Sequence, residues 1–152
     1  MKLKIEIDKD LPKEIIIRAP EFDAECAAIQ RALEKAISSS GEIALKGMHG
    51  ETYVPYSEIF FFEAGDDRVY AHTSSEVFVC QMRLAELEEM MPRTFCRASK
   101  SVLVNTAKIR SITRSPTGVG EATFNGTDKK TYISRMYFKA VREVIEETRL
   151  KK

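Results

Sequence analysis

Between Phe95 and Asn105 the chain reads FCRASKSVLVN. Arg97, Ser99, Lys100 and Ser101 place two cations and two hydroxyls close together. Arginine can grip phosphate or guanine with two parallel N–H groups, lysine supplies a point charge, and serine hydroxyls bond phosphate or base edges. The chemistry on offer is contact with DNA. An ordinary solvated loop would use the same residue types. A second run, KKTYISRMY over Lys129–Tyr137, ends with Ser134 and Arg135 where a strand pattern gives way to a helical one. The spacing places Ser134 to cap that helix through its hydroxyl, with Arg135 projecting from the junction.

Catalytic constellations are poorer. Gly118-Val119-Gly120 lacks the third glycine and the Lys-Ser/Thr of a phosphate-binding loop, and reads as a hairpin turn. Cys26, Cys80 and Cys96 form no Cys-x-x-Cys, and neither His49 nor His72 stands at ligand spacing from another His or Cys. A thiol nucleophile at Cys80 or Cys96 with His72 has no local support, so these cysteines read as small buried hydrophobes. Asp66–Asp67 and Glu88–Glu89 read as solvated surface. The expectation is a protein that is not an enzyme, with no cofactor, no metal and no small-molecule substrate.

The charge distribution points the same way. The whole chain carries a net +1, but residues 96–152 hold thirteen Lys and Arg against five Asp and Glu, a net +8. Residues 1–42 sum to −2 and residues 43–95 to −5. A basic third on an otherwise acidic chain favours contact with a polyanion through one region. Basic and acidic segments facing each other in the fold would give the same count. With 152 residues the chain can bury a core without disulfides, and is too short for a receiver domain beside an effector domain. It shows no signal peptide and no apolar run long enough to span a bilayer, so a cytoplasmic protein is expected.

The elements that must position these residues follow from periodicity. Leu3–Ile7 alternates apolar with polar residues and Glu14–Arg18 holds three consecutive Ile, so both read as strands. Phe22, Cys26, Ile29, Leu33 and Ile37 fall at helical spacing, and Ser38–Gly41 closes that helix and reads as a linker. The rest is a succession of short strands. They are expected near Ile43–Lys46, Thr52–Val54, Ile59–Glu63, Val69–Thr73, Val77–Gln81, Phe95–Ala98, Val102–Val104, Ile109–Arg114, Glu121–Phe124 and Thr131–Ser134. Helices are expected at Leu84–Met91 and Met136–Thr148, and Asn125–Gly126 signals a tight hairpin. The division is a ββα extension over 1–41 and a β-rich domain over 42–152.

Residues from about 43 to 148 resemble a LytTR DNA-binding domain, found in bacterial transcription regulators. The resemblance rests on Ile59-Phe60-Phe61-Phe62-Glu63, on Leu84 and Leu87 of a short helix, and on Phe95, Arg97, Lys100, Ser101, Leu103, Val104 and Asn105. Asn125–Gly126 and Ser134–Arg135 complete it. Ser99 stands where many members carry His, and Met136 where some carry a basic residue. The Ser-Lys-Ser variant resembles that of short stand-alone members.

The resemblance implies a mainly β fold (α+β overall), an elongated sandwich of mostly antiparallel strands with short helices. It implies a sequence-specific transcription regulator whose loops enter successive major grooves at direct repeats in promoter DNA. The DNA-contacting residues it implies are Arg68, Arg97, Ser99, Lys100, Arg135 and Met136. Ser101, Asn105 and Ser134 support the contact loops. The implied partners are double-stranded DNA, a second copy on direct repeats, and a membrane-bound inhibitor protein. The alternative is a non-catalytic protein-interaction module that uses the β-domain as a platform.

Overall fold

A computed structural model of the protein describes residues 2–12, 14–38 and 41–149. The first regular element is a helix, α1 (Ala24–Ser38). Asp23 starts it by accepting the Cys26 backbone N–H at 2.9 Å, which satisfies one of the donors left unpaired at a helix N-terminus. That bond holds the Asp23 carboxyl below its ordinary range. Ahead of α1, the strands expected at Leu3–Ile7 and Glu14–Arg18 do not form among the described residues. Leu3 and Ile7 are 90% and 93% exposed. Alternation marks a segment fit to pair, but it supplies no partner, and a lone ribbon is marginal in water. Instead of ββα, the described N-terminal segment is irregular chain, with a turn in which the Leu11 N–H donates to the Asp8 carbonyl at 3.1 Å, followed by one helix.

Ten strands and two helices follow. They are β1 (Glu42–Gly47), β2 (Gly50–Pro55), β3 (Phe61–Ala64), β4 (Val69–His72), β5 (Val77–Cys80), α2 (Leu84–Met90), β6 (Phe95–Ser99), β7 (Val102–Asn105), β8 (Ile109–Arg114), β9 (Gly120–Phe124), β10 (Lys130–Ile133) and α3 (Phe138–Arg149). Each strand expected after Gly41 is present, within one or two residues of its expected ends. Seven strands make one sheet in the order β2-β1-β5-β4-β3-β7-β6, and three make a second in the order β10-β9-β8. The paired strands are antiparallel throughout.

Strand alternation sorts the core into two layers. Phe62, Ala71, Phe78 and Leu103 face one side of the larger sheet, where Leu84, Leu87 and Met91 cover them. Phe61, Val102 and Val104 face the other side and meet Ala122, Phe124 and Ile133 of the second sheet, with Phe138 and Val141 of α3. Phe124 stacks between Phe60 and Phe61, at centroid distances of 5.2 and 5.6 Å. β7 is buried along its whole length, because both faces of the larger sheet are covered there. Its apolar run Val102–Val104 therefore shows no alternation.

The hairpin at Asn125–Gly126 is not tight. Five residues, Asn125–Lys129, separate β9 from β10, although Gly126 does adopt a positive φ of 75°. The longer connection reaches the other sheet. Thr127 donates through its hydroxyl to the Ser74 carbonyl at 3.2 Å, and the Lys129 ammonium to the Glu76 carbonyl at 3.1 Å.

Candidate nucleic-acid interface

Antiparallel pairing sends alternate turns to opposite ends of a sheet. The β3–β4 turn (Gly65–Arg68) and the β6–β7 turn (Lys100–Ser101) open at the same end, where the Ala64 N–H donates to the Ser101 carbonyl at 2.7 Å. The β8–β9 turn (Ser115–Val119) and the β10–α3 connection (Ser134–Tyr137) join them. Gly120 pairs with Ile133, and the Ser134 N–H donates to the Ala98 carbonyl at 2.8 Å. The Ala98 carbonyl is available because β6 bulges. Arg97 pairs with Leu103 and Ser99 with Val102, which leaves Ala98 as an extra residue.

An open hollow of ≈ 970 to 1070 Å³ lies on each side of this end. The larger one is lined by Ser99, Lys100 and Ser101 from the first sheet and by Thr117, Val119, Ser134, Arg135 and Met136 from the second. Lys100, Arg135 and Met136 are exposed. Among the described residues, neither Lys100 nor Arg135 forms an ion pair. Two unpaired cations, three serines, Val102, Val119, Tyr137 and one carboxylate residue, Glu63, line one concavity; the Glu63 carboxylate lies 3.6 Å from the His72 Nε2. That arrangement can hold phosphate oxygens at the rim and base edges or methyl groups within.

Arg135 owes its place to a glycine. A Cβ on Gly118 would lie 2.7 Å from the Arg135 Cδ and 2.9 Å from its Cγ, so the arginine stem packs directly on the turn. Gly118 also has a φ of 92°, a conformation L side chains rarely adopt. Gly120 is constrained by approach alone, because a Cβ there would lie 2.5 Å from the Phe138 ring. Arg114, beside the same turn, sits 4.9 Å over the Phe138 ring and donates to the Gly118 carbonyl.

The remaining expected residues fall elsewhere. Arg68 is exposed and lines the other hollow, with Asp66, Asp67, Lys46 and Arg83. Arg97 is not brought to the contact concavity. It pairs with Leu103, whose side chain belongs to the layer under α2, so it stands on the face of β6 opposite Arg135. Its Nε donates to the Glu88 carboxylate at 2.6 Å and its Nη1 to the Lys100 carbonyl at 2.7 Å. Ser101 supports its turn directly, since its N–H donates to the Ser99 Oγ at 3.2 Å. Asn105 lies at the far end of β7. Its Nδ2 donates to the Ile59 carbonyl at 2.9 Å and its Oδ1 accepts the Ala107 N–H at 3.1 Å.

Ser134 does not cap α3 through its hydroxyl. α3 begins at Phe138, too far on for Ser134 to be its cap residue, and the Ser134 backbone carbonyl accepts the Tyr137 and Phe138 N–H groups, both at 3.0 Å. Ser134 lines the hollow. Sequence reasoning missed Thr117, Val119 and Tyr137. A hairpin turn at Gly118–Gly120 was legible, but not that it would stand beside Arg135. The thiolate form is disfavoured at both Cys80 and Cys96. Burial pushes Cys80 up, and burial with the nearby Glu88 carboxylate pushes Cys96 up to about 12.

The model of the LytTr DNA-binding domain matches residues 50–146. Two proteins from strains of Staphylococcus aureus, each named an uncharacterized HTH-type transcriptional regulator, are 32% and 31% identical over 147 residues. Both alignments cover 94% of this chain and 97% of the relative. They therefore take in most of the segment ahead of the family domain. A solved LytTr DNA-binding domain from Bacillus cereus has the same fold, with a TM-score of 0.64 at 23% identity over 69% of this chain and 96% of the other.

Proposed function

Because the chain belongs to the LytTR DNA-binding domain family, a family of DNA-binding regulators, we propose that it reads promoter DNA through the turns gathered at one edge of its sandwich. Lys100 and Arg135 hold phosphates or guanine at the rim of the concavity, with Ser99 and the Ser134 hydroxyl beside them. Met136 meets base methyl groups. Arg68, on the neighbouring turn, makes a flanking phosphate contact. Backbone contacts supply affinity and its salt dependence; base contacts supply the choice of sequence. The protein works by binding, without catalysis.

The observation that carries this reading is the convergence of Lys100 and Arg135, from two different sheets, on one hollow with no carboxylate paired to either. The test is selection of binding duplexes from a random pool, followed by titration of Lys100→Ala and Arg135→Ala. Enriched sequences that carry a repeated half-site, bound more weakly by both variants, are the expected result. A pool that never enriches, or enriched duplexes that both variants bind as the parent does, refutes the reading.

A second role belongs to residues 1–41, separate from the domain over 42–152. Leu3, Ile5, Ile7, Ile15 and Phe22 are all more than half exposed, which suits contact with another protein. A second copy on direct repeats and a membrane-bound inhibitor are the partners proposed for it. Deletion of 1–41 that changes neither self-association nor regulation in cells rules this role out.

A further inference from the structure

The β6–β7 connection joins two strands through Lys100 and Ser101 alone. Two-residue hairpins ordinarily rely on positive φ at one or both central positions, most often with glycine. Here neither residue is glycine and neither has a positive φ. Side chains hold the turn instead. Ser99 Oγ accepts the Ser101 N–H, and the Arg97 Nη1 donates to the Lys100 carbonyl. Arg97 is itself held, because its Nε donates to Glu88 on α2, and α2 is anchored by the buried Leu84 and Leu87. A guanidinium is a rigid planar fork, so fixing Nε fixes where Nη1 points. The Arg97 side chain is 22% exposed and stands on the α2 face of the sheet, away from the hollow that Lys100 and Arg135 share.

We propose that Arg97 is a positioning residue that never touches DNA. Glu88 orients the guanidinium, and the guanidinium clamps the Lys100 carbonyl so that the ammonium stays at the rim of the hollow. The inference rests on the reading of this edge as the DNA surface. It also makes α2, on the far side of the sheet, part of the binding apparatus.

Glu88→Gln separates this role from direct contact by sign. If Arg97 reached phosphate, loss of its carboxylate partner would free the arginine and remove a negative charge, so DNA would bind more tightly. A clamp predicts about fivefold weaker binding of a duplex selected by the parent protein, the scale of the net contribution of one hydrogen bond. Arg97→Lys, which cannot bridge both partners, should bind as weakly as Arg97→Ala. The double variant Arg97→Ala/Lys100→Ala should match Lys100→Ala in affinity and salt slope. Tighter binding by Glu88→Gln, or a slope flatter by about one more unit in the double variant, overturns the proposal.

Amide exchange on the free protein keeps the two readings apart. Protection at Ser101 and Ala64 should fall in Arg97→Ala and in Glu88→Gln, and hold in Lys100→Ala. If it does so while the parent binds no DNA, the clamp stands and the DNA reading falls. Unchanged protection overturns the clamp whatever DNA does. Glu88→Gln, at an exposed helix position, keeps the test readable should Arg97→Ala fail to fold.

Discussion

If Lys100 and Arg135 each neutralise one phosphate, their removal must change how binding responds to salt, and by a calculable amount. The logarithm of affinity falls with the logarithm of salt with a slope of about −0.9 per phosphate contacted. Raising salt from about 50 to about 200 mM therefore costs about 3.5-fold for each contact, and about 12-fold for two. Lys100→Ala and Arg135→Ala should each lose one such factor, and the double variant both, since the two residues sit on different turns. Any lost cation also lowers the protein's overall attraction for DNA, so a matched control is needed. Arg110 provides it. It is exposed, forms no ion pair among the described residues, and occupies a bulge at the start of β8. From Arg114, beside the contact turn, it is four residues down the strand, about 13 Å at about 3.3 Å per residue. That exceeds a Debye length of about 8–10 Å. Arg110→Ala should leave the slope within error of the parent. Fluorescence anisotropy on a selected duplex at five salt concentrations measures the slopes of the parent and the four variants. Equal slopes for Lys100→Ala, Arg135→Ala and Arg110→Ala would mean that only net charge is felt, and the argument for local contact would be wrong.

Other expectations follow from single contacts. Gly118→Ala pushes a methyl into the Arg135 stem at a positive-φ position, so it should weaken DNA binding while costing about 1–2 kcal/mol in urea titration. Gly118→Ala that binds as the parent does would show that Arg135 needs no support from the turn. Asn105→Ala removes both bonds that tie β7 to Ile59 and Ala107 in a buried setting, and should cost about 2–3 kcal/mol without changing the salt slope of binding. His72 links stability to pH. Burial first, then the Lys129 charge, lowers its pKa below the ordinary 6.5, with Glu63 opposing. The folded state therefore resists a proton that the unfolded chain accepts. Its contribution is complete above about 6.5 and is lost as pH falls through the folded value. Melting temperature should drop between pH 7.5 and 5.5, and His72→Phe, which keeps the stack on Phe61, should flatten that drop. An unchanged slope in His72→Phe would assign the drop to other groups.

The strands after Gly41 were legible because their turns are chemically marked, by Gly, Asn and Asp, and because apolar runs of four to six residues have few alternatives. The N-terminal strands were misread for a complementary reason. Leu3-Ile5-Ile7 has the right period, but period says nothing of a neighbour. The face on which Arg97 stands was hidden on similar grounds. Its place in the Arg-x-Ser-Lys-Ser run says that it lies beside the contact turn. Only the register, with Arg97 opposite Leu103 and an extra Ala98 before Ser99, says that it faces α2 rather than the hollow. A bulge of one residue thus separates two cations that sequence alone groups together. The hairpin after β9 failed differently, because Asn-Gly does mark the bend, while its length is set by bonds to the distant Ser74 and Glu76 carbonyls.

The arrangement also constrains what kind of recognition is open to the chain. Its S. aureus relatives are named as HTH-type, yet here five strands separate α1 from α2 and five separate α2 from α3, so no two described helices are joined by a short turn. A recognition helix braced by a partner helix is therefore absent among the described residues, and the edge proposed for DNA is built of turns. A turn has no internal ladder to keep its side chains in register, so its aim must come from outside. Each contact at this edge has such a brace. Arg135 lies on Gly118, Ser134 hangs from the Ala98 carbonyl, the Ser101 carbonyl is held by the Ala64 amide, and Lys100 is held by Arg97. One of these four braces crosses from one turn to another, two tie a turn to a strand, and the fourth is anchored on α2. Specificity built this way is a property of the packed sandwich rather than of any one loop. Transplanting residues 97–101 into an unrelated hairpin should accordingly carry over their charge, and hence weak salt-sensitive binding, but not the choice of sequence.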